Sequence, residues 1–152
     1  PQLFPEAWVW HKRRTDFRKF FRQVYNSGIA RINLTKRHPG TLKLVHLLPT
    51  VFTLGVIGLI LISAVGRVLM HYVDADRFFW MCLAPWIPIL LYSLIIGTDS
   101  AVKNRSLLVG LLSVPAAFVQ LMGYGLGFIE SWWKRCILKQ DEFTAFEKTF
   151  YQ

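Results

Sequence analysis

Three stretches of this chain, residues 47–66, 78–98 and 106–129, carry no charged side chain. Each reaches the run of about 20 apolar residues that a helix needs to cross the hydrocarbon core of a bilayer. A water-soluble domain can hide one such helix inside a polar shell. Three of them in a chain of 152 residues leave too little polar surface to cover them. The expected fold is mainly α, a membrane protein with three transmembrane helices.

Polar residues gather where bilayer edges belong. Arg67, His71, Asp74, Asp76 and Arg77 fill the first connection, and Asp99, Lys103, Asn104 and Arg105 the second. Trp80, Trp86, Trp132 and Trp133 lie near segment ends, where amphipathic rings favour the interface. Pro85 and Pro88 predict a kinked or shallow start to the second segment. Cys82 and Cys136 lack metal-ligand spacing, and Cys82, inside an apolar run, reads as a small buried thiol.

The formal charge of +9 is concentrated ahead of the first apolar stretch, with ten Lys and Arg in residues 1–46 against only Glu6 and Asp16. Such a bias places this region in the cytoplasm and suits phosphate-bearing partners. Nucleic acid is not expected, because no finger, helix-turn-helix or RNP pattern is present. Three full crossings would leave the tail outside, yet Lys134, Arg135 and Lys139 argue for inside. A re-entrant segment, with the proline-bearing second as first choice, reconciles the two.

Residues 7–11 (AWVWH) predict a short strand. Thr15 or Asp16 is placed to cap a helix running to about Asn33. Phe17, Phe20, Phe21, Val24, Ile29 and Ile32 share one broad side of it, with Arg18, Lys19, Arg22 and Asn26 off that side. This is a basic amphipathic juxtamembrane helix suited to the interface plane. Further on, the spacing of Gly123 and Gly127 predicts close helix packing. Gln120, midway along its segment, requires a partner within the bundle. Aromatic residues every three or four positions in 143–151 suggest a short interfacial helix.

The order RQVYNSGIAR at 22–31, KRHPGTLKL at 36–44 and LLP at 47–49 resembles membrane-associated family 2 glycosyltransferases of the succinoglycan-biosynthesis, Bacteroidetes-like type. HKRRTDF at 11–17 and QLMGYGLGF at 120–128 extend the resemblance over most of the chain. It implies an enzyme that moves a sugar from a nucleotide-sugar donor to a polyprenyl-linked acceptor, in cell-surface polysaccharide synthesis at the bacterial cytoplasmic membrane. It also implies a GT-A α/β catalytic domain upstream of Pro1, holding an Asp-x-Asp motif, a divalent Mg or Mn ion and an acidic base. The chain then divides into the end of that domain (1–14), a basic amphipathic helix and linker (15–46), a three-span module (47–131) and a tail (132–152). The short strand would be what remains of the catalytic fold. No catalytic residue and no metal ligand is expected in this portion. Asp74-Ala75-Asp76 spells the metal motif, but it lies in a connection on the far side of the membrane from any cytoplasmic donor.

By the same resemblance Arg22, Gln23 and Arg31 align with the polar positions of the juxtamembrane motif and are assigned to substrate phosphate. Arg13 and Arg14 join them as contacts at the catalytic floor, with a solvated basic turn as the equal alternative. The Gln-x-x-Arg-Trp signature of processive synthases is absent, since Val24, Tyr25 and Asn26 follow Gln23. Arg18, Lys19, Arg37, Lys36 and Lys43 are assigned to lipid headgroups. A groove for the polyprenyl chain is the alternative reading of the glycines. The rival to an enzyme is a non-enzymatic membrane anchor or assembly subunit that binds anionic lipid through the basic helix.

Overall fold

The computed structural model describes residues 16–69, 76, 80 and 82–141. Among them the chain is helical, with four long elements: α1 (Phe17–Arg37), α2 (Leu48–Leu69), α3 (Ile87–Asn104) and α4 (Leu107–Trp132). The strand expected at 7–11, the tail helix expected at 143–151 and most of the first connection lie outside the described residues.

Helix α1 starts where the sequence indicates. The carboxylate of Asp16 accepts the backbone N–H of Arg18 at 2.8 Å, satisfying one of the free donors of the first turn. The helix runs four residues past the expected end, to Arg37, and stops one residue short of the His38-Pro39 step. A 3-10 turn at Leu44–His46 then leads into α2. The prolines of the second segment give a 3-10 turn at Ala84–Trp86, and the α-helix proper begins at Ile87. Asp99 and Lys103, expected in a connection, are instead helical and pair at 2.9 Å. One helical turn apart, they let α3 continue to Asn104. Arg105, in left-handed conformation at φ 50°, and Ser106 then reverse the chain. The hydroxyl of Ser106 caps α4. A single π-helical turn, Trp133–Ile137, ends that helix.

Three of these elements are long and apolar enough to cross a membrane, as expected: Leu44–Val68, Ala84–Asn104 and Leu107–Ile137. Their apolar side chains point outward. Leu54, Ile60, Leu61, Leu90, Leu94, Leu108 and Leu111 are all more than half exposed, a surface only lipid can solvate without cost.

Helix α4 is the axis on which the others assemble. Its N-terminal half pairs antiparallel with α3, since Gly110 abuts Gly97 and Ala101, and Ser113 Oγ donates to the Ile96 carbonyl at 3.5 Å. Its C-terminal half pairs with α1, and here the helices run parallel. Gly123 meets Phe21 and Val24, Gly127 meets the Tyr25 backbone, Ser131 Oγ donates to the Ile29 carbonyl, and Lys36 reaches the Arg135 carbonyl. Helix α1 thus lies lengthwise along α4, which departs from the expected position in the interface plane. The physical reason is glycine. A methyl group at Gly28 would lie 2.7 Å from the Phe128 nitrogen, so backbones approach closely and one apolar face of α1 is covered by helix instead of by lipid.

The first turns of α2 complete the junction. Thr53, fully buried, donates to the Pro49 carbonyl at 2.8 Å and lies 3.3 Å from that of Leu121, against Gly125. Phe52, Tyr92 and Phe118 bring α2, α3 and α4 together, with ring centroids 5.5–6.5 Å apart. The close packing predicted for Gly123 and Gly127 is therefore present, and α1 is the partner. Gln120 is exposed, not held inside the bundle as expected. Cys82 is half-buried and Cys136 exposed, both as free thiols.

Candidate phosphate-binding end of the bundle

The end of α1, the 3-10 turn before α2 and the π-turn after α4 share one end of the bundle. Lys36 Nζ donates to the Arg135 carbonyl at 2.9 Å, which ties the juxtamembrane helix to the chain leaving α4. The π-turn frees that carbonyl from regular helical pairing. Arg31, half-buried, and Lys43, exposed, are both within electrostatic reach of His46. The backbone N–H of Lys43 donates to His46 Nδ1 at 3.0 Å, closing the 3-10 turn. A ring nitrogen that accepts carries no proton, so this arrangement requires a neutral imidazole with its proton on Nε2.

On the other side of Lys36, Lys134 pairs with Glu130 one turn earlier. The Arg135 Nε is buried without a hydrogen-bond acceptor among the described residues, and its Nη1 reaches the Gln140 carbonyl at 3.5 Å. A buried guanidinium nitrogen lacking an acceptor is costly, and an anion is its natural complement.

The residues assigned to phosphate do not converge. Arg13 and Arg14 lie outside the described residues. Arg22 and Gln23 are exposed on the N-terminal half of α1. Nine positions separate Arg22 from Arg31, which places them on opposite sides of the helix and about 13 Å apart along it. One phosphate group cannot hold both. Of the lipid-headgroup set, Lys36 and Arg37 end α1 at the cationic end and Lys43 lies in the linker there, all exposed. Arg18 and Lys19 are exposed at the opposite end of α1.

Sequence reasoning passed over the hydroxyls of the junction. Thr53 and Ser131 are fully buried and hydrogen-bonded across helices. The Tyr124 hydroxyl and Thr50 Oγ1 are buried without a hydrogen-bond partner among the described residues. The only signal in the sequence was their interruption of apolar runs. No cluster of metal-ligating side chains occurs among the described residues.

No protein-family model matches this chain, and no curated protein or solved structure matches it either. What fold and site define is a class: a multi-pass helical membrane protein with a basic helix built into its bundle.

Proposed function

We propose that this chain is the C-terminal membrane module of a family 2 glycosyltransferase acting on a polyprenyl-linked acceptor at the cytoplasmic face of a bacterial inner membrane. Two features support the reading: the ordered sequence pattern from Arg22 to Pro49, and one structural observation. That observation is the gathering of Arg31, Lys43, His46, Lys36 and the Arg135 turn at one end of an apolar bundle. A lipid pyrophosphate has this division of chemistry, an anionic head beside a long hydrocarbon.

The role of these residues is binding and charge stabilisation. Guanidinium groups match phosphate oxygens in pairs, and such charge-assisted bonds strengthen as negative charge develops during transfer. Bond making and breaking belong to the upstream nucleotide-sugar domain with its divalent metal. The Lys43–His46 closure holds the linker so that Arg31 and Lys43 present their charges from one side.

The test uses the full-length protein in native membranes. Arg31→Ala should lower transfer of labelled sugar to polyprenyl phosphate at least tenfold with membrane insertion intact, and Arg31→Lys should recover part of it. Wild-type transfer by Arg31→Ala removes this end of the bundle from the site. The non-enzymatic anchor remains the rival, favoured by the cationic charge on α1. A reading frame that extends upstream through a nucleotide-sugar domain eliminates it, and a start codon just before Pro1 eliminates the enzyme.

A further inference from the structure

Helix α4 with its π-turn is too long for one bilayer. The continuous element Leu107–Ile137 has 31 residues. At 1.5 Å per residue it extends about 46 Å, against a hydrocarbon thickness of about 30 Å. Glu130, Lys134 and Arg135 mark the C-terminal end as the one that projects, but apolarity does not set how far back the projection reaches, because residues 106–129 are uncharged throughout.

The parallel register with α1 decides it. Phe21 lies beside Gly123 and Tyr25 beside Gly127, so Arg18, Lys19 and Arg22 stand level with residues 120–124 of α4. These three cationic side chains are exposed. They cannot sit deep in hydrocarbon without a large penalty. Gln120 carries the same message. It is exposed at this level, where an amide facing lipid tails would be unsatisfied, whereas at a bilayer edge headgroups and water satisfy it. Burial changes at the same place. Gly123, Gly125, Gly127, Phe128 and Ser131 are buried, against Gly110 alone in the half of α4 that α3 covers, and α3 itself contains no buried residue. Apolar groups such as Ile29 and Phe128 are sequestered where water is the competing solvent and left outward where lipid is, while the exposed Trp132 and Trp133 stand further out than the interface position expected of them.

We infer that the hydrocarbon ends near Met122, that the glycine-rich third of α4 projects beyond it clad in α1, and that Arg18 and Arg22 bind the phosphates of anionic phospholipids at this edge. Arg18 and Arg22 are one helical turn apart on one face, with the exposed rings of Phe17 and Phe21 on the adjoining face. The rings enter the acyl boundary while the guanidinium groups extend to phosphate. From Leu107 to Met122 α4 rises about 22 Å, about 7 Å less than an ordinary hydrocarbon core. The bilayer is therefore thinned locally beside α1. This inference does not rest on the glycosyltransferase reading.

The experiment takes the full chain with Cys82→Ser and Cys136→Ser, reconstituted in bilayers of phosphatidylcholine and phosphatidylglycerol. Nitroxide labels on single cysteines at Leu111, Gln23 and Ala30 report collisions with oxygen and with a water-soluble nickel chelate. Leu111 should favour oxygen, Gln23 should shift towards nickel, and Ala30 should be dominated by nickel. A Gln23 label as deep as the Leu111 label overturns the boundary. For the phosphates, spin-labelled phosphatidylglycerol should associate with the protein severalfold more than spin-labelled phosphatidylcholine. Arg18→Gln with Arg22→Gln should bring that ratio near one, while Lys103→Gln, at the far end of α3 and paired with Asp99, leaves it unchanged. A double variant that keeps the preference removes Arg18 and Arg22 from lipid binding, and so does an equal loss with Lys103→Gln.

Discussion

The two halves of α4 are alike in sequence and unlike in structure. Both are uncharged as far as Ile129 and both use glycine to admit a neighbour, Gly110 against α3 and Gly123 and Gly127 against α1. Yet the α3 side leaves its leucines outward, and the α1 side forms nearly all of the buried core, with Ile29, Ile32, Phe128, Thr53 and Ser131 within it. A hydropathy profile reads the two halves as one span. The difference lies in the covering helix: α3 is apolar around its circumference up to the Asp99–Lys103 pair in its last turns, and α1 has one apolar side and one cationic side. An apolar helix in lipid gains little by burying its surface, whereas an amphipathic helix must cover its apolar face.

Substitutions can sharpen or break this contrast. The largest effect belongs to Ile29, only 2% exposed: Ile29→Ala should cost about 2–5 kcal/mol, against under about 0.5 kcal/mol for Leu111→Ala, 64% exposed. Equal losses in detergent unfolding would erase the distinction between the halves. Next, Gly127→Ala forces a methyl into the Tyr25 backbone and should destabilise by about 1–3 kcal/mol. Gly55→Ala, where a methyl meets nothing within 4 Å, should be neutral or stabilising by up to about 1 kcal/mol. A harmless Gly127→Ala in the same melts would mean that α1 does not pack this closely. Thr53→Val keeps shape but removes the donor to Pro49 and Leu121, a loss of about 1 kcal/mol in chemical denaturation. The smallest effect is on the lipid-facing hairpin. Asp99→Asn breaks an ion pair whose partners are 71% and 57% exposed and should change stability by no more than about 0.5 kcal/mol, less at high salt. A larger, salt-insensitive loss would place that pair in a drier setting than α3 provides.

Much of this architecture was legible in the residues, for identifiable reasons. Asp16, one of two capping candidates with Thr15, is a strong capping type, so the start of α1 followed directly. The spacing of Gly123 and Gly127 signalled a close approach because few other residues permit one. The identity of the partner was hidden. Periodicity gives α1 an apolar face, but it does not distinguish a lipid surface from another helix as the cover for that face. For the same reason Gln120 was misplaced, since depth in a membrane follows from what stands alongside and not from distance to the ends of an uncharged run. Asp99 and Lys103 looked like a loop because charge was read without its one-turn spacing. At the cationic end, the basic residues were legible as a set. Their division was not, because Arg22 and Arg31 come apart only once a continuous helix turns them to opposite sides.

The bond from Lys36 to the Arg135 carbonyl has a topological corollary. It joins residues 99 positions apart, so everything from α2 to α4 is held in one closed loop whose two ends meet at the cationic end of the bundle. Within that loop α3 and α4 form a hairpin, and the Trp86 indole donates to Ser63 of α2 at 3.1 Å.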